Sequence, residues 1–214
     1  MLKEILGGHR PSHFSPNIFV KSVITSETIF WASQNLFGPI FAIFVTNEIS
    51  GGNIETAATA ISIYWVVRIL LELFSTIFFN KPKESIRLLL VIIGFLICGI
   101  AQLFFIKADS MLSILIIYSF IGVGIGLASP QRNALFSSHI DKNQETTEWG
   151  AYDIIVFTGI ALSTTLGGFI ATQYGFKTLF LVSGILCLVS IIPYILLLIK
   201  LIASKVDINT FLRN

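Results

Sequence analysis

The sequence predicts an all-α integral membrane protein of six transmembrane helices, and three observations carry that prediction. Six stretches, residues 23–46, 57–79, 86–106, 112–136, 151–174 and 178–203, are long and apolar enough to cross a bilayer, which takes about 20 residues at ~1.5 Å rise each. The chain is 54% hydrophobic and only 12% charged, with a mean hydropathy of +0.84, whereas globular chains carry roughly 25% charged residues. Gly122, Gly124, Gly126 and Pro130 all fall inside the fourth apolar run. A soluble helix would be weakened there, but in a bilayer a neighbouring helix approaches bare backbone closely and freed backbone groups find partners within the bundle.

In chain order, residues 1–22 read as a cytoplasmic N-terminal segment. It carries Lys3, Arg10, Pro11 and Pro16 and lacks the apolar core and small-residue cleavage site of a signal peptide. Residues 23–203 form the membrane domain and 204–214 a cytoplasmic tail. In the first span, Glu27, Trp31, Gln34, Asn35 and Gly38 recur at i, i+4, i+7, i+8 and i+11, one face of a helix. The second span holds Arg68 and Glu72. The third and sixth are apolar around nearly their whole circumference, a pattern that suits helices facing lipid. The fourth places Gly122 and Gly126 four residues apart, and the fifth repeats Gly159, Ser163, Gly167 and Ala171 every four residues. Such stripes let helices pack closely. The connections at 51–55, 107–110 and 175–177 are short, so consecutive spans are antiparallel neighbours.

Several function classes are disfavoured. A net charge of +2, with basic residues dispersed between apolar blocks, does not make a nucleic-acid surface. Cys98 and Cys187 lie far apart within apolar runs, as buried small hydrophobes do. His9, His13 and His139 fall outside the spans, Pro11 separates the first two, and no further ligand completes a metal site. No phosphate loop, nucleophile elbow or zinc-protease motif is present. Neither an enzyme nor a cofactor is expected.

The polar residues inside the spans are the candidates for function. Arg68 is about the twelfth of 23 residues in its span, where insertion scales put a charge at roughly +2.5 to +3.5 kcal/mol. Glu72 lies one turn away, so an ion pair would offset part of that cost; the pair either sets helix packing or lines a solute pathway. Glu27, Trp31, Gln34 and Asn35 line a cavity or serve as interhelical hydrogen-bonding groups, with Glu27 close enough to the cytoplasmic end to be solvated. Arg132 shares one depth with Glu148 and Asp153, so these three form a salt-bridged inner gate or else extend separately to the interface. Trp149 and Tyr152 read as interface anchors.

The run from Gly159 to Ala171, with Gly167-Gly168, continues into Tyr174-Gly175-Phe176-Lys177. Together with Gly38-Pro39, Ser129-Pro130 and Glu148-Trp149-Gly150, it resembles the major facilitator superfamily over nearly the whole chain. More narrowly, the chain resembles one six-helix half of such a transporter and the small bacterial proteins made of such a half alone. That resemblance implies a 3+3 inverted repeat in the bacterial cytoplasmic membrane. It also implies secondary-active transport of a small solute by alternating access, with a second copy or a second six-helix half as partner. Spans one, two, four and five would face the partner and solute, and spans three and six the lipid. Between spans two and three the family has an acidic residue in a Gly-x-x-x-Asp-Arg-type loop; Asn80 stands there in this chain, at the expected inner gate. The alternative is a non-transporting scaffold or regulatory subunit derived from a transporter half.

Orientation follows from the basic residues. Eleven of the fourteen Lys and Arg fall on the N-terminal side, only Lys107 and Lys177 on the other, and Arg68 lies within a span. Both termini are therefore expected in the cytoplasm. In intact cells, a single cysteine replacing Ser50 should react with an impermeant maleimide from outside and one replacing Asn143 should not; the reverse pattern would invert the topology.

Overall fold

The computed structural model describes residues 16–211, with side chains as far as Ser204; the segment holding Lys3, His9, Arg10 and His13 and the tail side chains from Lys205 lie outside the described residues. The described chain is helical almost throughout: α1 (Ile18–Phe37), α2 (Phe41–Glu48), α3 (Ile54–Phe78), α4 (Glu84–Phe104), α5 (Met111–His139), α6 (Glu145–Val189) and α7 (Ile192–Phe211).

Local chemistry sets several of these boundaries. The Asn17 side chain accepts from the Val20 N–H at 3.0 Å and the Asn53 side chain from the Thr56 N–H at 2.8 Å, satisfying free donors at the starts of α1 and α3. Ser110 and Ser113 cap α5 reciprocally. At the end of α1, Pro39 lacks an N–H, and the chain passes through a 3-10 turn, Gly38–Ile40, before resuming as α2. The first span is thus two helical pieces.

Five helical stretches are long and apolar enough to cross a membrane: Ile18–Glu48, Ile54–Phe78, Glu84–Lys107, Met111–His139 and Glu145–Ser204. The last has 60 residues, or roughly 90 Å if it were straight, about three times a hydrocarbon core. It is not straight, because Gly175 adopts φ 81°, ψ 167°, a conformation that favours glycine. Contacts with α1 show the consequence. Before Gly175, Gly159 meets Thr28 and Gly167 meets the Leu36 carbonyl, so α1 and α6 ascend together. After it, the Ser183 hydroxyl donates to the Ser33 carbonyl and the Ser26 hydroxyl to the Ser190 carbonyl, so the second arm descends α1. The chain reverses at Gly175.

The core lies among α1, α4, α5 and the second arm of α6. Phe30 stacks on Phe95 with ring centroids 3.9 Å apart, and Phe105 on Phe180 at 4.7 Å. At the opposite end, Asn17 donates to the His139 carbonyl at 2.7 Å, and the His139 ring lies 3.3 Å from a Glu84 oxygen, joining the starts of α1 and α4 to the end of α5.

The third span presents two faces. Helix α4 does not face lipid all round: Leu88, Val91, Phe95, Cys98 and Gln102 are buried, while Leu89, Ile93, Leu96 and Ile100 are exposed. Helix α7 divides in the same way, with Tyr194 and Leu197 buried and Ile195, Leu196 and Ile199 exposed. The most open helix is α3, with Trp65, Val66, Ile69, Leu70, Leu73 and Phe74 all uncovered. An all-apolar circumference suits a protein core and lipid equally, so hydropathy alone does not separate them.

Backbone proximity holds α5 between α3 and α4. A Cβ on Gly122 would stand 2.8 Å from the Tyr64 carbonyl, one on Gly126 2.6 Å from that of Arg68, and one on Gly124 2.6 Å from the Cys98 sulfur and closer still to the Gly94 carbonyl. Gly124→Val should therefore lower stability by about 1–3 kcal/mol through overpacking. Gly168→Ala, where a Cβ meets nothing within 4 Å, should be neutral or slightly stabilising. Thermal unfolding of the purified protein in detergent checks both; equal midpoints for the two variants would contradict the packing.

Candidate functional site

Four helices converge on one carboxylate. Glu27 of α1 is fully buried. Its Oε2 accepts from Arg132 Nη1 of α5 at 2.6 Å, from Trp31 Nε1 of α1 at 3.1 Å and from the Tyr152 hydroxyl of α6 at 3.3 Å. Its Oε1 accepts from the Tyr194 hydroxyl of α7 at 3.2 Å. Arg132 also donates to Asn133 Oδ1 through Nε at 3.3 Å and Nη2 at 3.1 Å, and its guanidinium lies 6.0 Å from the Trp31 ring centroid. A buried charge needs this degree of compensation, since each unpaired ion costs several kcal/mol.

The expected Arg132, Glu148 and Asp153 cluster is therefore replaced by a different pairing. Arg132 binds Glu27, which is not solvated. Glu148 is buried and accepts from the Asp141 N–H at 3.4 Å. Asp153 is exposed and makes no hydrogen bond or ion pair among the described residues. Asn80 stands apart at the end of α3, its carbonyl accepting from Arg87 at 3.4 Å. The neighbour of Arg132, Gln131, does the joining there: its amide donates to Ser75 Oγ at 3.2 Å and to the Phe79 carbonyl at 3.3 Å, tying α5 to the end of α3.

Arg68 and Glu72 pair within α3 at 3.1 Å. Arg68 also donates to the Tyr64 hydroxyl at 3.0 Å and lies 5.0 Å from the Trp65 ring centroid. Of the packing positions, Gly122 and Gly126 face α3, while Gly159 and Gly167 face α1. Ser163 is buried and donates to the Ile160 carbonyl at 2.9 Å.

Two cavities flank Trp31. One, of ≈ 270 Å³ between α1, α3 and α5, is lined by Gln34, Asn35, Tyr64, Trp65 and Tyr118. There the buried Gln34 Nε2 has no hydrogen-bond partner among the described residues, whereas Asn35 Nδ2 donates to the Trp31 carbonyl at 2.8 Å. The other, of ≈ 340 Å³ between α1, α5 and α6, is lined by Asn35, Arg132, Tyr152, Asp153 and Phe157. The stripe expected on α1 thus splits: Glu27 belongs to the core, and Gln34 and Asn35 border open space.

Sequence reasoning missed three participants. Tyr152 was expected as an interface anchor, yet its hydroxyl reaches Glu27. Tyr194 sits within an apolar run, where its polar tip is the only signal. Gln102, fully buried in α4, lies 2.6 Å from the Ser183 hydroxyl, whose single proton is shared between the Gln102 side-chain oxygen and the Ser33 carbonyl. Among the described residues no cluster of His, Cys, Asp and Glu could hold a metal ion.

The chain matches the model of the Major Facilitator Superfamily over residues 23–210. It belongs to the Major Facilitator Superfamily. Superfamily members are transporters and not enzymes, and the apolar helices agree with a multi-pass integral membrane protein. No curated protein and no solved structure matches the chain.

The Glu27 and Arg132 pair gives a direct test. Glu27→Gln or Arg132→Gln alone should cost about 3–5 kcal/mol by leaving a buried charge unpaired. The double variant should cost clearly less than the sum. Thermal unfolding in detergent measures the cycle, and additive losses would contradict the pairing.

Proposed function

We propose that this chain is one six-helix half of a secondary transporter that moves a small solute by alternating access, and that a second copy of the chain supplies the other half. The observation that carries the reading is the pair of cavities beside Trp31. They lie on one face of the bundle, which runs from α3 across α1 and α5 to α6 and is open among the described residues. Polar side chains at Gln34, Asn35, Arg68 and Asp153 would be costly against lipid, whereas a second bundle would enclose them around a shared path.

Six crossings follow from taking the two arms of α6 as separate spans, the second continuing through α7. Helix packing favours the inverted repeat as well. The first span packs on the fifth, and the fourth packs on the second, through close-approach glycines in each case. Exchanging spans one, two and three with four, five and six turns one contact into the other. The Glu27 hub ties α1, α5, α6 and α7 together, which suits rocking of the bundle as a unit. Asn80, which is exposed, is left to meet the partner at its inner end. The excess of basic residues on the N-terminal side supports cytoplasmic termini in a bacterial inner membrane.

A two-fold axis along the membrane normal, through the middle of this face, sets α3 of one copy against α6 of the other. Cysteines at Ile69 and Leu162, both exposed, should crosslink between copies in membranes. A cysteine at the exposed Leu96 of α4 should not. Solute uptake by vesicles in which the protein is monomeric by mass would overturn the two-copy arrangement.

A further inference from the structure

We propose that the cavity between α1 and α6 recognises an organic cation, with Asp153 as its counter-charge. The inference deepens the transporter reading and rests on it for the premise that this face borders a solute path.

Charge balance singles out Asp153. Of the acidic and basic side chains near these cavities, Arg132 and Asp153 line the second, while Glu27, Arg68 and Glu72 lie behind or beside the linings. Four are neutralised in pairs, Glu27 with Arg132 and Arg68 with Glu72. Asp153 pairs with none of them. Arg132 lines the same cavity, yet it makes no ion pair with Asp153, because its donors are directed at Glu27 and Asn133. Among the described residues, the wall therefore carries one uncompensated negative charge, two turns into α6.

The surroundings of that carboxylate define what it would bind. Trp31, Tyr152 and Phe157 line the same ≈ 340 Å³ space, offering aromatic surface to a cation in addition to the charge of Asp153. An anionic solute would be repelled. A neutral solute that displaced water would leave the carboxylate desolvated without a partner, which is costly. A cation with apolar substituents meets both demands. The neighbouring cavity differs, since Arg68 already lies over Trp65 and donates to Tyr64, so its aromatic surface has a resident cation.

The test uses the full chain in lipid nanodiscs and radiolabelled tetraphenylphosphonium, a permanent cation without hydrogen-bond donors, with binding to empty nanodiscs subtracted. Saturable binding is expected, weakened roughly tenfold or more by Asp153→Asn through loss of the Coulomb attraction and largely kept by Asp153→Glu. Tetraphenylborate, the same shape with opposite charge, and neutral triphenylphosphine oxide should not compete. Because Asp153 is exposed and unpaired, the Asn variant should keep the wild-type unfolding midpoint, which is measured alongside. Absence of saturable binding, equal affinity in wild type and Asp153→Asn, or competition by tetraphenylborate would each overturn the proposal. Vesicle uptake separates it from the reading beneath it. Uptake of some other solute without Asp153-dependent cation binding sinks the cation assignment alone, whereas Asp153-dependent binding with no uptake of any solute sinks the transporter reading.

Discussion

A carboxylate sealed from water must be solvated by protein, and Glu27 meets that requirement only if four helices are in place. Arg132, Tyr152 and Tyr194 come from α5, α6 and α7, and Trp31 from the turn above on α1 itself. Displacing any of these helices would uncover an ion in a medium of low dielectric, so the cost of a wrong packing is large even where the gain from the right one is modest. The hub therefore acts on specificity. It sets the rotation of α1, so that Gln34 and Asn35 border the open face.

The Arg68 and Glu72 pair is a different kind of interaction. Both residues lie on one helix a turn apart, so the pair forms with α3 alone and constrains no neighbour. Association of α3 depends instead on α5, where Gly122 and Gly126 admit the backbone at Tyr64 and Arg68. Lipid tails are as apolar as leucine, so helices in a bilayer gain little from hiding apolar side chains from one another. Close backbone approach supplies dispersion contacts in their place, reinforced by buried hydrogen bonds such as Ser75 to the Leu127 carbonyl at 3.2 Å.

These two devices divide the bundle. On one side, α4 and α7 each present an apolar stripe outward and a second stripe to the aromatic core. On the other, α3 and the first arm of α6 lie open, with the cavities between them. Trp31 links the sides: its indole N–H is held by Glu27 in the core, while its ring forms a wall shared by both cavities. A movement of the hub would thus be felt at the open face through one rigid side chain.

Much of this was legible in the sequence, because the properties concerned are local. Span positions follow from the length of apolar runs, the reversal at Gly175 from the short connection at 175–177, and the Arg68 and Glu72 pair from a spacing of four. Close-packing glycines were visible from their period on α5 and α6. What could not be read was the partner of Arg132, which is 105 positions away, while Glu148 and Asp153 were nearer in sequence and similar in depth. Nor could the two faces of α4 be told apart, since core and lipid select the same side chains. The sequence by itself determined which segments are helices and which residues are too polar to leave unpaired. Only the tertiary structure decided which helix face meets which, because that choice depends on backbone approach and on a buried ion pair whose members share no local pattern.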